Sequence, residues 1–489
     1  MIAINLYTSR VILQTLGIED FGIYNVVSGV ITMLGFLTNS LSGASSRYIT
    51  YGLGKGDIKI MKQTFGNILA IHLLLAGIII ILGETIGLWF MSTQLQIPPE
   101  REFAAFWVYQ FSVFTSVLAI ISVPYNASII AHEKMSAFAY ITIADAILKL
   151  GIVYLLLLIP YDKLIIYAAL YFCIQVFDRV IYSIYCRRHF EETRSKLCFN
   201  KQLFKEIFIF AGWTMNGNLA IMGYTQGLNI LLNIFFGPVV NAARGIAVQV
   251  QNAAMNFCKS FQMALNPQLT KCYAAGDRLH MHQLLKASSK ISFFLMLCIS
   301  LPIIFETNII LHWWLKTPPD HTANFLRLIL CSSLLYTLSN PIIVSIHATG
   351  KLKQFQLIEG SMLLSIVPIA YLLLFFFHIP AEYVFIVHIA VEICTQYARI
   401  RIVLPKISMS IKDYFISVIY PIIKVCIFAP IIPLIIYLNM DVNLISFLIV
   451  CTISVFSVCF SAYVVGCNSL EQQFIKEKIV NLLTKKKLH

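Results

Sequence analysis

The residues best suited to chemistry lie on one face of an otherwise apolar segment, between positions 241 and 266. At 100° per residue, two cations and seven amides fall within an arc of about 160°, while Ala, Val, Ile, Phe, Leu, Cys and Ser fill the other face. They are Asn241, Arg244, Gln249, Gln251, Asn252, Asn256, Lys259, Gln262 and Asn266. Cations can neutralise an anion, and amides can bond hydroxyl groups. We expect this stripe to face water, with amide bonding between packed helices as the alternative.

A second segment, residues 22–50, repeats the design. Its small and polar residues occupy an arc of about 120°: Asn25, Ser28, Gly29, Thr32, Asn39, Ser40, Gly43, Ser46 and Arg47. A shift of 220 positions places Asn39 on Lys259. The segment before each of these two, residues 1–17 and 207–235, adds further polar residues on one side, among them Arg10, Asn229 and Asn233. We predict that these four segments line one central cavity.

Ionisable residues in other apolar segments are candidates for ion coupling. Asp145 and Lys149 are four residues apart and can pair on one helix face, as a structural ion pair or as part of a cavity. Asp178 and Glu359 are the other candidates, because an ionisable side chain inside a membrane usually has a function. Glu392 is a weaker candidate, and we expect His388 to be an interface residue. The twelve cysteines form neither a CxxC motif nor a Cys/His cluster, so we expect no metal site and no cofactor beyond a gradient of H⁺ or Na⁺.

Composition assigns these segments to a membrane. Apolar residues make up 58% of the 489 residues and charged residues 12%, with a mean hydropathy of +0.79, whereas about a quarter of a soluble domain is charged. A membrane-spanning helix needs roughly 20 apolar residues. We predict an all-α integral membrane protein with about fourteen spans: 1–17, 22–50, 64–91, 103–130, 137–159, 164–186, 207–235, 241–266, 287–311, 323–347, 355–377, 381–403, 414–437 and 443–466. The first span is short, and we expect it to begin upstream of Met1.

The distribution of Lys and Arg predicts the orientation. Twenty-four of the 36 basic residues follow even-numbered spans or lie in the C-terminal tail, and this count includes Arg399 and Arg401. The opposite gaps hold Arg101, Lys163, Lys316 and Arg327. Both termini are therefore expected in the cytoplasm. The net charge of +13 is accounted for by this asymmetry, and we expect no binding of nucleic acid.

An internal repeat relates the two halves of the chain. The glycine of "LG" at 16–17 and the "GD" of "GKGD" at 54–57 recur 220 positions later, in "FG" at 236–237 and "AAGD" at 274–277. Pro124 with Lys134 is echoed by Pro341 with Lys351. An even number of spans per repeat gives both halves one orientation, related by a pseudo-two-fold axis along the membrane normal.

These features predict five regions of the chain. They are an N-lobe of six helices (1–186, its first helix incomplete), a cytoplasmic linker (187–206), a C-lobe of six helices (207–403), two additional helices (414–466) and a basic cytoplasmic tail (467–489).

Two stretches resemble a known family. "LYTSRVILQTLGIEDFGIYNVVSGVITMLGFL" with "SSRYITYGLGKGD" is similar to the start of Wzx-type polysaccharide and O-antigen flippases, and "GPVVNAARGIAVQVQNAAMNF" with "NPQLTKCYAAGD" resembles the start of their second lobe. These proteins belong to the multidrug/oligosaccharidyl-lipid/polysaccharide (MOP) exporter superfamily. The resemblance spans essentially the whole chain and implies a MATE-like fold of two six-helix lobes with two extra helices.

The resemblance also implies a function in the bacterial inner membrane: moving an undecaprenyl-diphosphate-linked oligosaccharide from the cytoplasmic to the periplasmic leaflet. The expected partners are that glycolipid, membrane lipids, and a glycan polymerase and glycosyltransferases of the same pathway. An ion-coupled multidrug exporter is the first alternative, but cationic drugs call for carboxylates, and spans 1, 2, 7 and 8 contain no Asp or Glu, only bases and amides. A membrane polymerase or ligase is the second, although no P-loop, H-E-x-x-H or G-x-S-x-G motif occurs.

Overall fold

The computed structural model describes residues 11–12, 15–16, 20, 23–24, 27, 35–94, 97–158, 160–194, 199–315, 317–441, 443–468 and 471–472. Ten helical stretches in this part of the chain are long and apolar enough to cross a membrane. Three further helices, Gly35–Lys55, residues 238–275 and Tyr383–Lys406, have sufficient length but carry polar and charged side chains along them. The predicted all-α membrane fold is confirmed. The first predicted span and the start of the second lie outside the described residues.

Contacts between the helices divide the chain into two compact units. Unit 1 comprises Met1–Leu219 with Tyr273–Ala275, and unit 2 comprises Ala220–Cys272 with Gly276–His489. The lobe borders at 186 and 207 remain a prediction.

Unit 1 is built around a long helix whose buried tyrosines contact its neighbours. Tyr125 packs edge-on against Phe65 at a ring-centroid separation of 5.4 Å, and Tyr109 donates a hydrogen bond of 2.6 Å to the carbonyl of Gly83. Gly83 opens a π-helical turn, Gly83–Gly87, between two of the helices. The helices are α1 (Gly35–Lys55), α2 (Ile58–Leu82), α3 (Leu88–Gln94), α4 (Glu102–Ala131), α5 (Met135–Leu158) and α6 (Lys163–His189).

Ionic contacts hold the helix ends of unit 1 together. Arg101 pairs with Asp20 and, at 2.7 Å, with Asp162. Asp162 also caps α6 by accepting hydrogen bonds from the backbone amides of Leu164 and Ile165. At the other end of these helices, His132 lies 2.6 Å from Glu192 in a short 3₁₀ turn. Helices α4 and α6 are therefore joined at both ends by ion pairs.

Two helices meet at Gly237, where the sequence predicted two spans separated by residues 236–240, and we call the pair α7 (Lys201–Ala275). Gly237 alone leaves the helical conformation, with φ 80° and ψ −176°, and helix continues on both sides of it. A side chain is excluded at such dihedral angles, because that region of backbone space is essentially limited to glycine. The first arm, residues 201–236, passes from unit 1 into unit 2 at position 220, and the second arm comprises residues 238–275.

Unit 2 packs the second arm of α7 with the helices that follow it. One apolar cluster of unit 2 includes Leu232, Cys258, Met296, Phe325 and Phe385. The helices are α8 (Arg278–Phe305), α9 (Thr307–Leu315), α10 (Thr322–Thr349), α11 (Lys353–Leu364), α12 (Ile366–Phe377), α13 (Tyr383–Lys406), α14 (Ile411–Tyr414), α15 (Tyr420–Phe428), α16 (Ile431–Asn439) and α17 (Leu444–Ser461).

Two lysines of α8 fasten the C-terminal helices to unit 2. Lys290 is 4% exposed, and its ammonium group lies 2.5 Å from the carboxylate of Glu471 and 3.4 Å from the carbonyl of Gly466. Lys286 pairs with Asp413 of α14 at 2.7 Å. The chain after α17 is thus attached to α8 by a largely buried ion pair.

Local geometry recurs at the predicted offset of 220 residues. Gly56 and Gly276 both have positive φ, 73° and 82°. The aspartate that follows each of them caps the next helix: Asp57 accepts from the amides of Lys59 and Ile60, and Asp277 accepts from the amide of His280. Pro124 and Pro341 both lie inside long helices, α4 and α10. The two helix junctions are therefore built in the same way, as the repeat predicted.

Candidate functional site

The polar arc on the second arm of α7 divides into an exposed and a buried half. Gln249, Asn252, Asn256 and Lys259 have exposed side chains, and we call these four the exposed strip. They occupy one edge of the arc, together with Gly245, which is exposed and has no atom near the position of a Cβ. The exposed strip combines one ammonium group with three amides and contains no carboxylate.

The other edge of the arc packs into unit 2. Gln251 donates a hydrogen bond of 2.8 Å to the hydroxyl of Ser333 on α10. Gln262 is 2% exposed and donates a hydrogen bond of 2.9 Å to the carbonyl of Thr337, also on α10. For these two residues the structure shows the alternative that the sequence left open, amide bonding between packed helices. The side chain of Asn241 lies outside the described residues.

Arg244 belongs to the buried edge, with an exposure of 8%. Its guanidinium group donates hydrogen bonds to the Oδ1 of Asn229 and, at 3.0 Å, to the carbonyl of Thr225. Both partners lie on the first arm of α7, so Arg244 joins the two arms across the break at Gly237. Asn229 also donates 3.0 Å to Gln226, and Asn233, one turn further along, is exposed. Arg244 and Asn229 are brought together, while Asn233 is not part of this contact.

In unit 1, Arg47 is surrounded by aromatic rings. Its guanidinium carbon lies 4.3 Å from the ring centroid of Tyr48 and 5.1 Å from those of Tyr51 and Phe210. Cation–π contacts of this kind stabilise a partly buried cation. Arg10 and the side chain of Asn39 lie outside the described residues, so their predicted place in a cavity remains a prediction.

The ion-coupling candidates of unit 1 form one small cluster between α5 and α6. Lys149 donates a hydrogen bond of 2.8 Å to Asp145, which confirms the contact that their spacing predicted. Asp178 of α6 lies within hydrogen-bonding reach of Asp145. The neighbouring Arg179 instead lies over the ring of Tyr125, 4.2 Å from its centroid.

The candidate of unit 2, Glu359 of α11, belongs to a buried ionic cluster. The Nε of Arg399 donates a 2.7 Å hydrogen bond to Glu359, and a terminal nitrogen of the same guanidinium donates 2.6 Å to Glu392. Ser339 of α10 accepts 2.8 Å from Arg399 and donates 2.9 Å to Gln396. Arg399 is 2% exposed. Its assignment to the positive-inside count was therefore wrong: this arginine neutralises carboxylates inside the protein.

Sequence reasoning missed this cluster because its members come from different helices. Glu359 and Glu392 are 33 positions apart, and only packing of α11 against α13 brings them to one guanidinium group. A signal was nevertheless present, since His388, Glu392, Gln396 and Arg399 lie within an arc of about 80° on α13. Within the described residues, no three His, Cys, Asp or Glu side chains are arranged to hold a metal ion.

Comparison with known proteins agrees with the fold and identifies the family. The profile of a family described as polysaccharide biosynthesis protein matches residues 4–273. No curated protein sequence matches the chain.

Three solved structures illustrate the similarity of fold. A MATE transporter in the straight conformation is 15% identical with a TM-score of 0.72, over 84% of this chain and 93% of that chain. A MOP superfamily transporter from Pyrococcus furiosus, whose binding pocket is described as having reverse polarity, is 14% identical with a TM-score of 0.69, over 83% and 93%. An outward-facing multidrug resistance MATE family transporter is 14% identical with a TM-score of 0.68, over 83% and 92%.

Fold and family together define a class, that of multi-pass membrane proteins with a MATE-like fold. Within that class, the chain belongs to the polysaccharide biosynthesis protein family. The resemblance found in the sequence is confirmed at this level.

Proposed function

We propose that the protein is a flippase that translocates an undecaprenyl-diphosphate-linked oligosaccharide, the repeat unit of an O-antigen or of a capsular or exopolysaccharide. Transport runs by alternating access from the cytoplasmic to the periplasmic leaflet of the bacterial inner membrane, with both termini in the cytoplasm. Membership of a polysaccharide biosynthesis family supports a glycan as cargo. Glycosyltransferases that supply the lipid-linked unit and a polymerase that consumes it are the expected partners.

The exposed strip on α7 carries this proposal. Its ammonium group, Lys259, can neutralise a phosphate oxygen of the diphosphate, and the amides of Gln249, Asn252 and Asn256 can donate to and accept from sugar hydroxyls. No Asp or Glu occurs from position 207 to 275, so this surface has the charge that suits an anionic headgroup.

Export of cationic drugs is the second candidate, because multidrug resistance transporters share the fold. Drug cations would be repelled by Lys259 and would find no carboxylate on the exposed strip. The Pyrococcus furiosus transporter, in which reverse polarity of the pocket is taken to suggest a different function, supports the view that the sign of charge separates cargo classes within this fold. The sign here favours the flippase over the drug exporter.

The test of the proposal is translocation of a lipid-linked oligosaccharide by the reconstituted protein. We expect Lys259→Ala to lower the rate by roughly tenfold or more, since a hydrogen bond to a charged group contributes about 1.5–3 kcal/mol. Lys259→Glu should abolish translocation because it places a carboxylate against the diphosphate. Arg401→Ala, which removes an exposed cation of α13, is the matched control and should translocate at the wild-type rate.

Efflux of cationic dyes without movement of the glycolipid would contradict the flippase and favour the drug exporter. A wild-type rate in Lys259→Ala would remove the exposed strip from the site.

A further inference from the structure

We propose that unit 2 carries one exchangeable proton on the buried cluster of Glu359, Glu392 and Arg399, with His388 as its outer access point, and that this proton drives transport. The inference rests on the proposed function, because it names the ion whose gradient powers the flippase.

Four polar side chains form a buried seam along α13. His388, Glu392, Gln396 and Arg399 follow one another at intervals of four, four and three residues, so they lie on one face. From the first to the last is eleven residues, or about 16 Å of helix, roughly half the thickness of a hydrocarbon core. Glu392 is 3% exposed and Gln396 is 6% exposed. The seam therefore runs through the interior of unit 2 and not along its surface.

The charges of the seam do not balance. Two carboxylates, Glu359 and Glu392, share the single guanidinium group of Arg399, which leaves one net negative charge when both are ionised. An uncompensated charge in a membrane interior is costly. One proton on either carboxylate makes the cluster neutral, so the cluster has room for one proton and no more.

The geometry favours a proton over a sodium ion. A sodium ion would need to sit among carboxylate and carbonyl oxygens, but the position between the two carboxylates is occupied by Arg399, at 2.7 Å from Glu359 and 2.6 Å from Glu392. The guanidinium group already supplies the fixed cation that such a pair of acids requires. What remains variable is protonation.

Two buried amides beside the carboxylates have polar atoms without partners among the described residues. One is the Nε2 of Gln396, whose Oε1 is bonded to Ser339 and lies 3.3 Å from Arg399. The other is the Oε1 of Gln356, a residue that is 4% exposed and lies one turn before Glu359 on α11. A buried polar atom without a partner is a place for water. These amides can therefore hold the water through which a proton enters or leaves.

The remaining ionisable groups around the seam connect it to the candidate site on α7. Tyr336 of α10 lies within electrostatic reach of both glutamates and Arg399. Tyr224 of the first arm of α7 packs against His388 with ring centroids 5.2 Å apart, and it also senses Glu392, Arg399 and Arg244. His388 lies one helical turn before Glu392 on α13. The contact between Tyr224 and His388 thus joins the seam to the first arm of α7.

The proposed step is a simple proton transfer. The protonated carboxyl of Glu392 gives its proton to the carboxylate of Glu359, directly or through one water, and the net charge of the cluster remains zero. Release of that proton from Glu359 to water leaves the cluster with a charge of −1 until His388 delivers the next proton to Glu392.

The charge balance leads to a sharp experiment on the full-length purified protein. We would follow the infrared absorption of protonated carboxylic acids as the pH is varied, in a protein that carries Asp178→Asn so that Lys149 of unit 1 faces a single carboxylate. The wild type should show a titrating carboxyl signal. Both Glu359→Gln and Glu392→Gln should lose the part of this signal that comes from the cluster, because either variant leaves one carboxylate paired with one guanidinium group and needs no proton. Glu392→Asp keeps the charge and should keep the signal.

Glu306→Gln is the matched control, since Glu306 is a buried carboxyl of unit 2 that lies outside the seam and should not contribute to the signal that the two variants lose. A wild type with no titrating carboxyl, or a signal of unchanged size in both Gln variants, would overturn the proposal. Loss of the wild-type signal in sodium chloride but not in potassium chloride would also overturn it, because the site would then bind sodium.

Translocation driven by a pH gradient is the second readout. Glu359→Gln should lose gradient-driven movement of the glycolipid while still binding it. If the wild type moves no glycolipid at all but shows the carboxyl titration, the proposed function fails and the proton site stands.

Discussion

At the scale of single residues, Arg244 and Lys259 show how one helix face serves two purposes. Both belong to the polar arc that the sequence reveals, yet Arg244 is 8% exposed and bonded to the first arm of α7, whereas Lys259 is exposed. Periodicity predicts which residues share a face. It cannot predict which edge of that face the next helix covers, because Ser333 and Thr337 of α10 are more than 70 positions away in sequence.

Arg244 is expected to act on stability before it acts on transport. Arg244→Ala leaves the Oδ1 of Asn229 and the carbonyl of Thr225 without their donor, and a buried group left unpaired costs about 1–3 kcal/mol. We expect a lower melting temperature of the detergent-solubilised protein than that of the wild type. Lys259→Ala is the control and should have the melting temperature of the wild type, because the Lys259 side chain is exposed.

A melting temperature of Arg244→Ala equal to that of the wild type would show that the contact across the break does not hold the two arms together. The melting temperature of Arg244→Lys should lie between those of Arg244→Ala and the wild type, since an ammonium group cannot reproduce the planar pair of hydrogen bonds that a guanidinium group makes.

At the scale of elements, the break in α7 is the feature that the sequence located but did not describe. The pairing of "LG" with "FG" at an offset of 220 identified position 237 as a repeat position, and the two spans beside it were predicted with a short loop between them. The structure reduces that loop to a single residue, Gly237. Helix propensity on both sides favours continuation, so the departure depends on the one residue that can adopt φ 80° and ψ −176° without a steric penalty.

Substitution of this glycine should be costly in proportion to that strain. Gly237→Ala places a Cβ where only glycine is readily accommodated, at a cost of order 1–3 kcal/mol. We expect reduced yield of folded protein and a lower melting temperature. Gly212→Ala is the matched control: Gly212 is helical, no atom lies near its Cβ position, and alanine there should be neutral or slightly stabilising.

An unchanged Gly237→Ala protein would mean that the two arms can be joined by another backbone conformation. The predicted strain would then be absent.

At the scale of the whole molecule, composition alone was enough to predict a multi-helical membrane protein. The run 68–82 lies within the predicted span 64–91, which is long and apolar enough to cross a membrane. The second arm of α7 and α13 are less apolar than the other long helices, and each carries charged residues that the structure buries in protein, Arg244 on the first and Glu392 and Arg399 on the second. The ionic clusters of both units could not be predicted from the sequence, because their members lie on different helices. Asp145 meets Asp178, and Glu359 meets Glu392, only after the helices pack.

The ion pair between Lys290 and Glu471 sets a limit on how far the chain can be shortened. A stop codon after Gln472 removes most of the basic tail but leaves Glu471 on the ammonium group of Lys290. A stop codon after Gly466 removes that carboxylate and strands a lysine that is 4% exposed. Removing one partner of a buried ion pair costs more than the pair contributes, so we expect a lower melting temperature only for the chain that ends at Gly466. Glu471→Gln in the full-length chain should reproduce part of that decrease. Equal melting temperatures for both shortened chains would contradict this. The acceptable end of the folded protein is thus decided by a carboxylate beyond the final membrane helix.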